Sequence, residues 1–265
     1  MANMEEPTPP ELARVGTAEL NMLRSLLPGL GDDRGHRDDD RDSVSASSAS
    51  LYYSAAGSSS SASPRGPPSP SLSRFYVEDG LTGKIQGLVE TLSSEDDPIE
   101  ALSSLASFID MSHGEAASGI CAMMRSCGAM RQLVQLLDAP SETAPAVTQH
   151  ALVLIGNLAS ADVDPIGSKH ARKQLREVGG FLKMMDHVDS SDELTVLYAL
   201  GAIQNTCGEI EYVYAMQQAG LVGKLQAFVG SGDENLASFA RACLANMRET
   251  ILHAAAARRH RAAAQ

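Results

Sequence analysis

Thr148–Ser160 reads TQHALVLIGNLAS, Val196–Gly208 reads VLYALGAIQNTCG and Ala237–Glu249 reads ASFARACLANMRE. The three stretches align on an asparagine, at Asn157, Asn205 and Asn246. An earlier stretch, LSSLASFIDMS from Leu102 to Ser112, fits the same frame with Asp110 in the asparagine position. The intervals between the four are 47, 48 and 41 residues. Self-similarity at such a period is the signature of a stack of like units, and it outranks any local reading. The columns agree in chemistry. Six residues before the aligned position stand Ser104, Ala151, Ala199 and Ala240, all small; two before it stand Phe108, Ile155, Ile203 and Leu244. Five before it come Leu105, Leu152 and Leu200, with Arg241 as the exception. Apolar residues at these offsets predict a helix with a wide buried face, and the small column predicts close helix–helix approach.

A second set of helices aligns on glycine: GLTGKIQGLVETL from Gly80, GAMRQLVQLLD from Gly128, GGFLKMMDHVD from Gly179 and GLVGKLQAFVG from Gly220. Glycine suits the corner between two helices, where φ is positive or a Cβ has no room. A shorter helix is predicted before each of the last three: GEAASGICAMMRSC, SKHARKQLREV and EIEYVYAMQQA. Helix starts are marked by Asp97 before Pro98 and by the capping-box spacing of Ser190 and Glu193. Each unit is thus a short helix, a corner glycine, a second helix and a longer third helix. One unit cannot bury its own apolar face, but a stack can.

Residues 1–78 differ. From Ser43 to Ser73, 14 of the residues are serine, preceded by the charged run GDDRGHRDDDRD. Such a stretch cannot bury enough apolar surface to offset backbone ordering, so it reads as a disordered arm. Its Thr8-Pro9, Ser63-Pro64 and Ser69-Pro70 pairs are either sites for proline-directed kinases or chance in a Ser/Pro-rich linker. Within the arm, apolar residues at helical spacing over 11–27 predict an amphipathic helix, ended by Pro28 and Gly29. Both docking to a partner and packing back on the chain stay open for it. The repeat domain is read as 79–253, and 254–265 as a basic, alanine-rich tail.

Composition narrows the function. The chain has a formal net charge of −12 and no tryptophan. Residues 79–253 carry −11 of that charge, the arm −4 and the tail +3. An acidic domain is a poor nucleic-acid coat, since that affinity comes from Lys and Arg neutralising phosphates. No apolar run approaches the length of a membrane helix, about 20 residues. The start, MANMEEPTPPEL, lacks the basic residues of a secretion signal. The expected compartment is the cytoplasm, with the nucleus as the alternative.

The three-helix pattern resembles the armadillo repeat over about residues 80–252. The residues that carry the resemblance are the corner glycines Gly128, Gly179 and Gly220, the run LVQLLD, and the third-helix strings ALVLIGNLA, ALGAIQN and ARACLAN. It implies an all-α solenoid, a right-handed superhelix of about three full repeats behind a partial leading one. In importin-α and β-catenin the third helices line a groove whose asparagines hydrogen-bond the backbone of an extended peptide. The resemblance thus implies partner binding by Asn157, Asn205 and Asn246. Gln204 and Arg241 lie near the expected groove and would tune selectivity. The alternative reading of each asparagine is that it satisfies nearby backbone groups. Importin-like repeats place tryptophan four residues before the asparagine to sandwich lysine by cation–π contact. Here those positions are Val153, Gly201 and Ala242, which argues against importin-like cargo capture. Asp110 breaks the ladder in the first unit.

Catalytic chemistry finds little support. Cys121 and Cys127 are too far apart for common zinc spacing, and Cys207 and Cys243 read as buried free thiols. His150 and His187 fall in columns of large residues and read as core fill. Asp162 and Asp164 read as solvated turn residues rather than a calcium loop. No cofactor and no metal are expected. The sequence therefore reads as a non-enzymatic protein-binding scaffold with a protein or peptide partner, a basic one on charge grounds. The alternative is a nucleotide-exchange cofactor of seventy-kilodalton chaperones, a role of some short armadillo proteins with disordered N-terminal arms. The oligomeric state is left open.

Overall fold

The computed structural model describes residues 79–94, 98–138 and 145–263. The arm, its amphipathic segment at 11–27, its Ser/Thr-Pro pairs and the cap expected at Asp97 lie outside these residues. Regular structure in the described residues is helical throughout. The chain divides between Thr206 and Cys207 into two compact units, taken in turn below.

In the larger unit, α1 (Asp79–Ser94) and α2 (Ile99–Asp110) form a leading pair. A full repeat follows as α3 (Glu115–Ser126), α4 (Ala129–Leu136) and α5 (Pro145–Ala159). The next is α6 (Ser168–Glu177), α7 (Gly180–Asp186), a 3-10 turn at His187–Asp189 and α8 (Glu193–Thr206). The third helices form the spine: α2 packs on α5 and α5 on α8, while α4 and α6 flank α5. Every residue of α5 from Ala151 to Ala159 is buried, as befits a helix hydrophobic all round. Leu152, Leu154 and Ile155 are fully enclosed. Each such side chain contributes about 1.5–3 kcal/mol relative to exposure.

The corners are built as the glycine pattern predicts. Gly128, Gly179 and Gly220 have φ of 78°, 70° and 73°, left-handed values that a Cβ disfavours. Gly180, beside one corner, serves packing instead. A Cβ there would lie 2.4 Å from Val134 Cγ2 and 2.6 Å from Leu175 Cδ1. Gly80 departs from the set: it lies within the first turn of α1, with an ordinary negative φ and no corner to make.

The start of α8 also differs from expectation. The cap is Asp192, whose Oδ2 accepts the Thr195 backbone N–H at 2.8 Å and the Thr195 hydroxyl at 2.6 Å. Asp192 stands immediately before the helix, where its carboxylate reaches the third helical N–H. Ser190 lies two residues further out and accepts from the Asp192 N–H at 3.1 Å.

The smaller unit holds α9 (Ile210–Gln218), α10 (Leu221–Val229) and α11 (Glu234–Ala263). The first two pack against α11. Asp233 caps α11, its Oδ1 accepting from Leu236 N–H at 2.7 Å. The Thr250 hydroxyl donates to the Cys207 carbonyl at 2.6 Å, fixing the entry to α9. With 30 residues, α11 runs unbroken from the repeat into the alanine-rich tail. Ile251 and Ala255 are buried, and residues from Ala257 to Ala263 are exposed.

Candidate functional site

Asn157 sits near the end of α5 and Asn205 near the end of α8, so the two stand at equivalent positions on adjacent spine helices. The helices approach closely there: a Cβ on Gly156 would lie 3.3 Å from the Ala202 Cα. That proximity lets the Asn205 amide donate from Nδ2 to the Gly156 carbonyl at 3.0 Å. Asn157 is buried and Asn205 half-buried. The backbone-satisfying role is therefore real for Asn205.

Residues four and seven before each asparagine share its helix face. On α5 these are Val153 and His150; on α8 they are Gly201 and Tyr198. Val153 and Gly201 are buried, whereas His150 and Tyr198 are half-buried. This corrects the reading of His150 as core. Its column lies on the asparagine stripe, at the edge of the packed face. The ring Nδ1 is 2.8 Å from the Ala146 carbonyl one turn back. Partial burial pushes the Tyr198 phenol above its ordinary range. The signal was in the sequence: His150 and Tyr198 each stand seven residues before an aligned asparagine. His187, by contrast, is in the core, with Nε2 3.0 Å from the Leu137 carbonyl.

None of these stripe residues is an acid, a lysine or an arginine, so the negative charge of the domain lies elsewhere. Asp192 stands directly before the first turn of α8. Gln149 Nε2 donates to its Oδ2 at 2.8 Å, linking α5 to the α8 cap. The Thr195 hydroxyl bond, against the opposing effect of partial burial and joined by the Thr195 N–H and Gln149, holds the Asp192 carboxyl below its usual range. Gln204 is half-buried beside Asn205.

Asn246 and Arg241 lie on α11 in the smaller unit, where Asn246 is half-buried. Arg241 is five residues away, about 140° around the helix. Its guanidinium donates to Glu234 Oε1 at 2.7 Å on an exposed surface. It therefore does not share a face with Asn246. Cys207 and Cys243 are buried in this unit. Their mutual hydrogen bond, then burial, push the Cys207 thiol well up. Among the described residues no three His, Cys, Asp or Glu side chains are grouped to hold a metal ion.

The long loop before α6 overturns one expectation. Asp162 is exposed, but Asp164 is 2% exposed. Its carboxylate pairs with the Arg125 guanidinium from α3 and accepts the Gly167 N–H at 2.8 Å. A buried carboxylate is tolerable only when so paired and hydrogen-bonded. Gly167 has no room for a side chain, since a Cβ would lie 2.0 Å from Arg125 Nη2 and 2.1 Å from Asp164 Oδ2. The same burial, with the Asp164 charge nearby, pushes the Cys121 thiol up to about 12.

No protein-family model matches the sequence, and no curated protein matches it. Solved structures do match. An engineered protein superposes with a TM-score of 0.53 at 26% identity, over 63% of this chain and 64% of its own. A designed armadillo repeat protein in complex with the peptide (KR)4 superposes at 0.50 with 24% identity, over 62% and 64%. So does a computationally designed armadillo repeat protein for modular peptide recognition, with the same figures. The fold is of the armadillo type. This chain spans somewhat less than two thirds of those proteins' lengths. In armadillo terms α2, α5, α8 and α11 are third helices, and the asparagines occupy the last turns of α5 and α8 and the middle of the much longer α11. The importin-type tryptophan shelf is replaced by buried Val153 and Gly201 and by half-buried Ala242. No helix of the described residues is long and apolar enough to cross a membrane.

Proposed function

We propose that the chain is a non-enzymatic binding scaffold that captures an extended segment of a partner protein across the α5–α8 face. The observation that carries this reading is the pairing of Asn157 and Asn205 in register on adjacent third helices, above a stripe lined by His150 and Tyr198. An amide side chain offers both a donor and an acceptor, the complement of a peptide unit. The Asn205–Gly156 bond fixes the amide plane and so preorganises it, which lowers the ordering cost of binding. Gln204 stands where it would contact a side chain of the bound segment. Asn246 would act in the same way on α11 within its own unit. Arg241 is left out, because it lies about 140° around α11 from Asn246.

The segment is expected to be basic. One designed armadillo neighbour holds a (KR)4 peptide, and residues 79–253 here carry −11. Without aromatic shelves, attraction would come from the field of the domain rather than from lysine-sandwiching pockets, and would weaken steeply with salt.

The test is peptide-display selection on the full-length chain, followed by affinity measurement. Selected peptides should be rich in Lys and Arg, and the double change Asn157→Ala with Asn205→Ala should weaken them about tenfold or more. Equal binding by a well-folded double variant would falsify the asparagine ladder.

A further inference from the structure

The α6 helix runs against the charge of the domain. It carries four of the eleven Lys and Arg residues of 79–253, namely Lys169, Arg172, Lys173 and Arg176, against one acid, Glu177. Its net charge is +3, and the remainder of 79–253 is −14. The helix buries Ser168, Ala171 and Leu175 along one side. By helical spacing, Lys169, Lys173 and Arg176 fall within an arc of about 60° beside the buried stripe, and all three are exposed. Exposed Glu177 borders that arc, with exposed His170 just beyond it. Arg172 is set apart by its bond from Nη1 to the Ala159 carbonyl at 2.7 Å. Lys173 and Glu177 approach only to 3.7 Å at the exposed surface.

A second observation stands directly before this helix. Ile166 is 87% exposed. A lone exposed apolar residue is ordinary, but this one is held out by a built support. Asp164 N–H donates to the Ser160 carbonyl at 3.0 Å, and Ser168 N–H to the Asp164 carbonyl at 3.0 Å. The buried Asp164 carboxylate ties the same loop to Arg125 and to the Gly167 N–H. The isoleucine is therefore presented on a braced turn beside a row of cations.

We infer that the exposed face of α6, together with Ile166, is a second docking surface, one that takes a short acidic peptide segment carrying an apolar side chain. The size of the face favours a peptide over a polyanionic surface. Ten residues of helix span about 15 Å, enough for four or five residues of extended chain at about 3.3 Å each. An anionic membrane or a nucleic acid would extend well past that length, beyond the reach of these few cations. A short acidic segment meets chiefly the local cations, with Glu177 the one acid of the helix. Its apolar side chain would cover Ile166, and its carboxylates would lie along Lys169, Lys173 and Arg176. The surface is distinct from the asparagine stripe of α5 and α8, so a basic partner and an acidic one could be held by the same chain.

The experiment uses the full chain and a short fluorescein-labelled peptide of glutamates around one leucine, followed by fluorescence anisotropy. Saturable binding is expected at low salt, weakening as the Debye length shortens. The triple change Lys169→Glu, Lys173→Glu and Arg176→Glu should weaken it at least about tenfold, and Ile166→Ser about threefold or more. The milder pair Lys169→Gln and Lys173→Gln should move it in the same direction, which keeps the test decisive if the triple variant misfolds by circular dichroism. Asn157→Ala with Asn205→Ala should leave it unchanged. The inference is overturned by absence of saturable binding at low salt, or by affinity indifferent to both sets of lysine changes. It is also overturned if phosphatidylserine-containing vesicles bind α6-dependently and the peptide does not compete with them.

Discussion

The Asn205 side chain donates to the Gly156 carbonyl across 3.0 Å, joining the ends of two successive third helices just where a Gly156 Cβ would press on Ala202. One residue thus serves the stack and, on our reading, the partner. The two roles separate by measurement. Asn205→Ala should cost about 1 kcal/mol of stability through the lost hydrogen bond, read as a lowered urea midpoint. Partner affinity at a temperature where both proteins are folded should fall as well. A stability loss with unchanged affinity would leave Asn205 a purely structural residue.

The loop before α6 depends on an ion pair that is almost wholly enclosed, with side-chain exposures of 12% for Arg125 and 3% for Asp164. Removing one partner leaves the other charge buried and unanswered, which costs about 3–5 kcal/mol. Asp164→Ala should therefore be among the most destabilising single changes in the larger unit. Changing exposed Asp162 to Ala should fall within about 0.5 kcal/mol of wild type. Chemical denaturation of the two variants side by side checks the contrast.

Much of this fold is legible in the residues. The aligned columns fix which side of each third helix is buried, and the corner glycines take the left-handed conformation their position implies. Asn157 and Asn205 come out in register because their spacing is that of the repeat itself. Other features leave no local trace. Asp164 looks like any turn aspartate, and its partner Arg125 is 39 residues away on another helix. His150 and Tyr198 share a column of large rings, a pattern that core packing and a half-open face produce alike. Ser190 has the spacing of a capping residue, yet Asp192 is closer to the first helical turn and carries a full charge, so it takes the position. The basic arc of α6 is visible only when helical phase is combined with burial.

At Gly180 the limit is space rather than backbone conformation. An added methyl would meet Val134 and Leu175 at 2.4 and 2.6 Å, far inside van der Waals contact. Overpacking of this kind typically costs about 1–3 kcal/mol. Gly180→Ala should lower the melting temperature. Gly180→Ala combined with Val134→Ala should recover part of the loss, because the second change removes the methyl groups in the way. A double-mutant cycle that shows no coupling would refute the contact.

Acid sensitivity should follow in part from Asp192. Its folded carboxyl is held below the ordinary value of 3.8 by the Thr195 hydroxyl, the Thr195 N–H and Gln149. For a lowered acid the sign is fixed. The unfolded chain takes up the proton first as pH falls, so the stabilisation is complete above the ordinary value and drains away below it. Asp192→Asn should be less stable than wild type at neutral pH, and the gap should narrow as pH drops below about 4. Because the group is only half-buried, the effect should be modest and salt-sensitive. Urea titrations at a series of pH values measure it.

The cysteines offer a test of burial that needs no partner. Burial first, and then the neighbouring Asp164 charge, push the Cys121 thiol up to about 12, against a smaller opposing effect from Arg125. At mildly alkaline pH almost none of it is thiolate, and the thiolate is the attacking species. Cys207 and Cys243 are buried as well, whereas Cys127 is half-buried at the end of α3. Under native conditions a thiol reagent such as iodoacetamide should therefore label Cys127 first. Labelling of the other three should wait for unfolding, when all four react alike. Mass spectrometry of peptides after a timed pulse resolves the order. The Asp164→Ala variant adds a directional check. It lowers the electrostatic barrier to Cys121 ionisation and loosens the loop that covers Arg125, so Cys121 labelling should accelerate. Unchanged protection of Cys121 in that variant would mean that the Arg125–Asp164 pair neither braces the loop nor touches the chemistry of its neighbour.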